Sequence, residues 1–222
     1  MEKTFCSFYY QVCPSDNTEL KLEKANTALL VIDLQRVYTK LADKDPRWNT
    51  FSKRLNETVL PNVKKIEALF RKNKQDVIFA RIACHLKDGR DRSLSQKMSG
   101  WNNILITLDD DDSQIIDDIA PVNDEIVVTK TTDSALTGTN LRLILNNLGI
   151  KTVVCAGIFT DQCVASTVRS LSDESFNVVV LEDACAAGTM KLHNAELTII
   201  NNIYAKPHSL FLAGASNSIL FM

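Results

Sequence analysis

VVCAGIFTDQCVASTVRSL, residues 153–171, contains a change of hydrophobic period within one short stretch. Val153 to Ala156 is apolar without alternation, the pattern of a strand covered on both faces of a parallel sheet. After Gly157 the spacing lengthens, and Val164, Val168 and Leu171 mark one face of a helix. The same change recurs on either side. Apolar runs at Ala28–Ile32, Val77–Ile82, Ile126–Val128 and Val178–Leu181 read as further strands. Leu141, Ile144, Leu145 and Leu148 form a helical stripe ended by Gly149 as a C-cap residue. Leu55, Val59, Val63, Ile66 and Phe70 form a longer one, which Pro61 kinks or starts. Strand and helix in alternation predict a three-layer α/β/α sandwich, and the placement of Asp33 and Lys130 at strand ends adds the expectation of a mostly parallel six-stranded sheet.

The chain has 222 residues, a size that favours one domain with a core large enough to stand without disulfides or metals. Residues 1–24 precede the first strand and read as an extension packed on a domain of residues 25–222. Lys and Arg number 25 against 27 Asp and Glu. With no basic excess or stripe, a nucleic-acid partner is not expected. No apolar run is long enough for a membrane span or a secretory signal, so no membrane partner is expected either. The six cysteines show no C-x-x-C pair and no clustered histidine. Reduced thiols and a cytoplasmic setting follow, with no metal and no cofactor expected.

The connection from Cys84 to Asp112 is long for a strand-to-helix loop and carries Trp101, which suggests an active-site cover. The acidic run Asp109 to Asp112 reads as a solvated loop. Open parallel sheets bind ligands beyond the carboxyl ends of their strands. Asp33 follows the first run, with Gln35 next to it. His85 follows the second, Lys130 ends the third, and Cys163 follows the fourth. An acid, an amine and a thiol therefore converge on one sheet edge. With Thr160 as N-cap, Cys163 falls at N3, where the helix dipole favours the thiolate. Burial and the Asp33 charge oppose this, and Lys130 is expected to tip the balance toward the reactive form. There is no G-x-G-x-x-G, no P-loop and no G-x-S-x-G elbow.

Gly157, Thr160, Cys163, Val164 and Thr167 together resemble the G-x-x-T-x-x-C-V-x-x-T signature of the isochorismatase-like cysteine hydrolases. Asp33-Leu34-Gln35 resembles that family's D-x-Q opening. Lys130 with Ser134-Ala135, Thr139 and Leu141 resembles its K-x-x-x-S-A-F-x-x-T-x-L segment, and Asp183-Ala184 its D-A after the fifth strand. The match runs over roughly residues 25–205. Leu136 departs from the usual Phe, and Ser175 from a Gly before the fifth strand. A nicotinamidase-type metal site is not expected, since Cys84 to Asp112 offers only His85.

The resemblance implies an Asp33–Lys130–Cys163 catalytic triad. It also implies an oxyanion hole from the backbone N–H groups of Phe159 and Cys163, and a cis peptide between Ile158 and Phe159. Gln35, His85, Trp101 and Phe159 are the candidate pocket residues. The implied activity is cleavage of a C–N bond in a small amide, ureide or carbamoyl compound through a thioester-type intermediate. The implied assembly is a homodimer or homotetramer, and the uncharged tail from Ser209 to Met222 is apolar surface such an assembly would cover. Two rivals keep the same fold: a vinyl-ether hydrolase of the isochorismate type, and a non-catalytic thiol redox or binding protein.

Overall fold

A computed structural model of the chain describes residues 20–98, 104–201, 203–210 and 219–221. Its strands are β1 (Leu20–Leu22), β2 (Thr27–Ile32), β3 (Val77–Ile82), β4 (Ile126–Lys130), β5 (Thr152–Ile158), β6 (Asn177–Ala186), β7 (Lys206–His208) and β8 (Ile219–Phe221). Six of them form one sheet in the order β4-β3-β2-β5-β6-β7, and every pair is parallel. The chain builds outward from β2 to β4 on one side, then returns to place β5 against the other side of β2. This is the doubly wound order, with its reversal between β2 and β5.

The strands are buried on both faces, which is why their sequences run apolar without alternation. Along β2, Leu29 and Val31 enter one core with Leu55, Val59, Val63, Ile66 and Phe70. Ala28, Leu30 and Ile32 enter the other with Leu141, Leu145, Val164, Val168 and Leu171. These two clusters are the interfaces between the three layers. The Leu141–Asn147 helix ends as its sequence predicts. Gly149 takes φ +69°, and the N–H groups of Gly149 and Ile150 close on the carbonyls of Asn146 and Leu145.

At Pro61 the expected break takes another form. The backbone stays helical from Asn49 to Lys72, and the stretch before Pro61, Leu55–Val59, widens into a π turn, the kind of local adjustment that accommodates an interior proline. The sixth strand, β7, is three residues of Lys-Pro-His at the sheet edge. Being short and polar, it leaves no apolar run to detect, and an edge is where a strand proline is tolerated.

The proposed extension, residues 1–24, is described only from Leu20 on. There β1 pairs with β8 in a separate two-stranded sheet. Most of the tail on which the homo-oligomer expectation rests also lies outside the described residues, as does Trp101. Among the described residues no helix is long and apolar enough to cross a membrane.

Candidate active site

The three sequence-selected residues meet at the carboxyl edge of the sheet, beside the β2/β5 reversal. Asp33 is the first residue after β2, Lys130 is the last of β4, and Cys163 lies in the π turn Thr160–Val164 after β5. Asp33 takes φ +54°, a left-handed conformation that Asp tolerates better than most residues. Its N–H donates to the Ala80 carbonyl at 2.8 Å, and its own carbonyl accepts from Gln35 N–H at 2.8 Å. The backbone is thus pinned on both sides of the carboxylate.

Lys130 joins the other two. Its Nζ is 2.7 Å from Asp33 Oδ2 and donates to Cys163 Sγ at 3.3 Å and to the Thr132 carbonyl at 3.1 Å. The ammonium's three donors are thereby directed at one ion, one sulfur and one carbonyl. Both side chains of the ion pair are almost wholly buried. Apart from this ion pair, the Asp33 carboxylate oxygens accept no hydrogen bond among the described residues.

Burial works against the Lys130 charge, but Asp33 and Cys163 outweigh it and hold the amine up at about 12. Burial also lifts Asp33 above the ordinary carboxylate range, although Lys130 pulls it down. The thiol behaves differently from the sequence-based expectation. Burial and the Asp33 charge push Cys163 well above its usual range, Asp133 adds to them, and Lys130 does not reverse the sum. The helix-start argument fails in detail as well. Phe159, not Thr160, is the N-cap, since Phe159 is the extended residue before the turn (φ −84°, ψ 143°), and the Thr160 hydroxyl is hydrogen-bonded to His193 Nδ1 at 2.8 Å. Burial and the neighbouring carboxylates thus disfavour the thiolate at this position.

The motif residues around the three have structural duties. Gly157 has φ +130°, and a Cβ there would lie 2.0 Å from the Ile32 carbonyl oxygen. Only glycine lets β5 approach β2 so closely at the point where both deliver site residues. Thr167 Oγ1 accepts from Ala135 N–H at 3.0 Å, and Ser134 Oγ donates to Ser170 Oγ at 2.8 Å. These two bonds tie the segment after Lys130 to the helix after Cys163. The Ile158–Phe159 peptide is cis.

Cys163 opens onto a cleft of about 720 Å³. Tyr38, Leu41, Trp48, Ile82, Ile106 and Phe159 form its apolar walls, and Lys44, Arg47 and Asp112 also line it. Tyr38 packs edge-on to Phe159 with centroids 5.4 Å apart. The long connection after β3 lines the cleft through Gln96, Ile104, Leu105, Ile106 and Asp112. The acidic run within it is not simply solvated, since Asp111 pairs with Arg36 and Asp112 with Lys40.

Of the candidate pocket residues, Phe159 lines the cleft. Gln35 does not. Its Nε2 donates to the carbonyls of Ile82 (2.9 Å) and Ser113 (2.8 Å), and its Oε1 accepts from Ile82 N–H at 2.9 Å. It is a buried staple between strand ends. His85 is exposed and absent from the cleft lining, its backbone N–H bound to Asp91.

Sequence reasoning missed Tyr38, Trp48, Gln96 and Asp133. Asp133 had a readable signal, since it lies inside the Lys130–Ser134 segment. His193 is a buried packing residue that bridges Thr160 to Arg54 Nη2 at 3.2 Å. Arg54 can only donate, so His193 presents Nε2 as acceptor and Nδ1–H to Thr160. Among the described residues, no group of three or more His, Cys, Asp or Glu could hold a metal ion.

A doubly wound sheet with an acid, an amine and a thiol at its reversal defines an α/β class in which chemistry is done at the strand ends. The model of the Isochorismatase domain matches residues 27–210, and the chain belongs to the isochorismatase family. The uncharacterised isochorismatase family protein YecD of Escherichia coli O157:H7 is 31% identical over 195 residues, covering 84% of this chain and 92% of that protein. The ureidoacrylate amidohydrolase RutB of Acinetobacter baylyi is 26% identical over 209 residues, covering 87% and 84%. A cysteine hydrolase crystal structure from Pseudomonas syringae pv. phaseolicola matches with a TM-score of 0.75 at 20% identity, covering 88% and 93%, a likeness of fold.

Proposed function

We propose that the protein is a cysteine amidohydrolase that cleaves a C–N bond of a small amide, ureide or carbamoyl compound. The observation that carries this reading is the buried Lys130 ammonium placed between Asp33 and Cys163, whose thiol lines the cleft. Asp33 takes the thiol proton as Sγ attacks the carbonyl carbon, then passes it to the departing nitrogen. Water, deprotonated by the same carboxylate, releases the acyl group from sulfur. Lys130 holds both partners and offsets the negative charge that appears on sulfur.

The raised titration of Cys163 suits this order of events, because the nucleophile is generated only when its proton has somewhere to go. The backbone N–H groups of Phe159 and Cys163 receive the carbonyl oxygen in this reading. Phe159 N–H has no hydrogen-bond partner among the described residues. One such donor is worth about 3–4 kcal/mol to the transition state. A redox-sensing thiol is less well supported, since sensors are accessible and acidic whereas Cys163 is buried and lifted.

Ammonia release from a panel of small amides and ureides tests the reading. Turnover by the wild type and none by Cys163→Ser is the expected result. No release from any member, or equal release by both proteins, would remove it.

A further inference from the structure

Asp133 has no part in the triad, yet its Oδ1 accepts from Cys163 Sγ at 3.7 Å. It is half-buried, and Gln96, a residue of the cleft lining, donates to the same oxygen. No hydrogen bond among the described residues ends on Oδ2. A carboxylate has about four acceptor positions, so Asp133 keeps acceptor capacity beside the reacting sulfur.

Its position matters because Sγ bonds the carbonyl carbon. With Oδ1 3.7 Å from the sulfur, a substituent of that carbon that lies on the Asp133 side comes within reach of its carboxylate. The departing nitrogen belongs at Asp33, which must hand it a proton. The second substituent is then the one Asp133 meets. A carboxylate there favours an N–H donor and repels an anion, while a plain methylene leaves it unpaired. Lys44 and Arg47, the lysine and arginine of the cleft lining, are exposed, and Arg47 is paired with Asp45.

We propose that Asp133 is a specificity-determining residue that makes this site select ureides, R–NH–CO–NH2, over simple carboxamides, by accepting the N–H of the nitrogen that stays on the carbonyl carbon. The proposal rests on the amidohydrolase reading above and deepens it. In the balanced reaction the S–C bond forms and the C–NH2 bond breaks. The thiol proton leaves with the nitrogen as ammonia, and R–NH–CO–S–Cys163 remains. Water then breaks the C–S bond, restores the thiol and gives the carbamic acid, which loses carbon dioxide to leave R–NH2. Asp133 holds R–NH through both halves.

The test uses pairs that differ only by NH against CH2: phenylurea with phenylacetamide, and N-methylurea with propionamide. Ammonia release is measured for wild type, Asp133→Asn and Asp133→Leu. Calorimetric binding is measured in the Cys163→Ser background with and without each Asp133 change. A hydrogen bond to a charged acceptor corresponds to roughly 10- to 100-fold. The ureide-to-carboxamide ratio is expected to fall by that factor in Asp133→Leu, and by less in Asp133→Asn.

An unchanged ratio in both variants would overturn the proposal. So would equal loss on both substrates, which would make Asp133 part of the acid–base machinery. If the wild type released no ammonia at all, the hydrolase reading would fall, and the binding ratios would still decide the role of Asp133. Binding of neither member of a pair would overturn it.

Discussion

Two buried carboxylates in this protein invite comparison, Asp33 at the carboxyl edge of the sheet and Glu67 on the Leu60–Lys72 helix. Each is almost fully buried and each faces a cation, Lys130 at 2.7 Å and Arg71 at 3.2 Å. Burial raises both, and Glu67 reaches about 8 despite Arg71. By burial and titration alone they could not be told apart. The third partner separates them. Arg71 is clamped by Glu125, with Nε and Nη2 each 2.8 Å from a carboxylate oxygen, so that cluster closes on itself. Lys130 instead points at a thiol on a cleft. A perturbed acid becomes a candidate base only where a reacting group and open space stand beside it.

The largest effect should come from exchanging each acid for its amide. Asp33→Asn keeps the shape and removes the carboxylate that carries the proton in the proposed mechanism. Ammonia release is expected to fall roughly 10³- to 10⁴-fold, within the range for general acid–base groups. Glu67→Gln should leave kcat/KM within about twofold of wild type. Loss of turnover in Glu67→Gln, or its survival in Asp33→Asn, would break the comparison.

The cations should differ next. Lys130→Met strands Asp33 as a buried, unpaired charge, a change that typically costs about 3–5 kcal/mol. Chemical denaturation should show that loss, and Asp33→Asn added to Lys130→Met should restore much of it. A double variant no more stable than the single one would mean that the ion pair is not the source of the cost.

The Glu67 cluster sharpens the contrast through pH. Its folded-state value, about 8, lies above the ordinary 4.5, so the folded protein holds that proton more tightly than the unfolded chain does. The contribution to stability is complete below about pH 4.5 and is lost as pH rises toward 8. Inside that window the slope approaches about 1.4 kcal/mol per pH unit. Glu67→Gln should flatten the slope and stabilise the protein at pH 8, by about 1–3 kcal/mol. Denaturant midpoints measured at pH 5 and pH 8 check this, and a steeper slope in the variant would contradict it.

The same contrast explains what could be read from the chain. Strand runs buried on two faces are apolar in sequence, so β2, β3, β5 and the middles of β4 and β6 were visible. Lys-Pro-His at β7 was not, because an edge strand needs no apolar side chains. Asp33, Lys130 and Cys163 were found because a parallel sheet delivers the ends of its strands to one edge. Gln35 was misjudged since adjacency to Asp33 does not reveal that its amide is consumed by Ile82 and Ser113. Tyr38 and Trp48 reach the cleft from the segment between β2 and β3, and their distance from Cys163 in sequence hides it. The thiol's titration depends on the sum of burial and three neighbouring charges, which no spacing encodes.

The smallest expected effect concerns backbone strain, where Asp33 has a different counterpart. Ser175 also sits at positive φ, +70°, in the turn between the Ala165–Asp173 helix and β6. A left-handed conformation costs a non-glycine residue about 1–2 kcal/mol. At Asp33 that cost places a carboxylate on Lys130. At Ser175 the side chain is exposed, and no hydrogen bond among the described residues involves its hydroxyl. The turn is closed instead by its backbone N–H on the Ser172 carbonyl at 2.9 Å. Ser175→Gly relieves the conformational cost, while the freer glycine chain gives back about 0.4–1 kcal/mol in the unfolded state. The net should be a stabilisation of about 0.5–1 kcal/mol with ammonia release unchanged. Asp33→Gly, by contrast, should relieve the same backbone cost and lose turnover entirely. Denaturant midpoints and turnover measured together decide the point. A Ser175→Gly protein less stable than wild type would mean that the serine makes a contact there worth more than its strain.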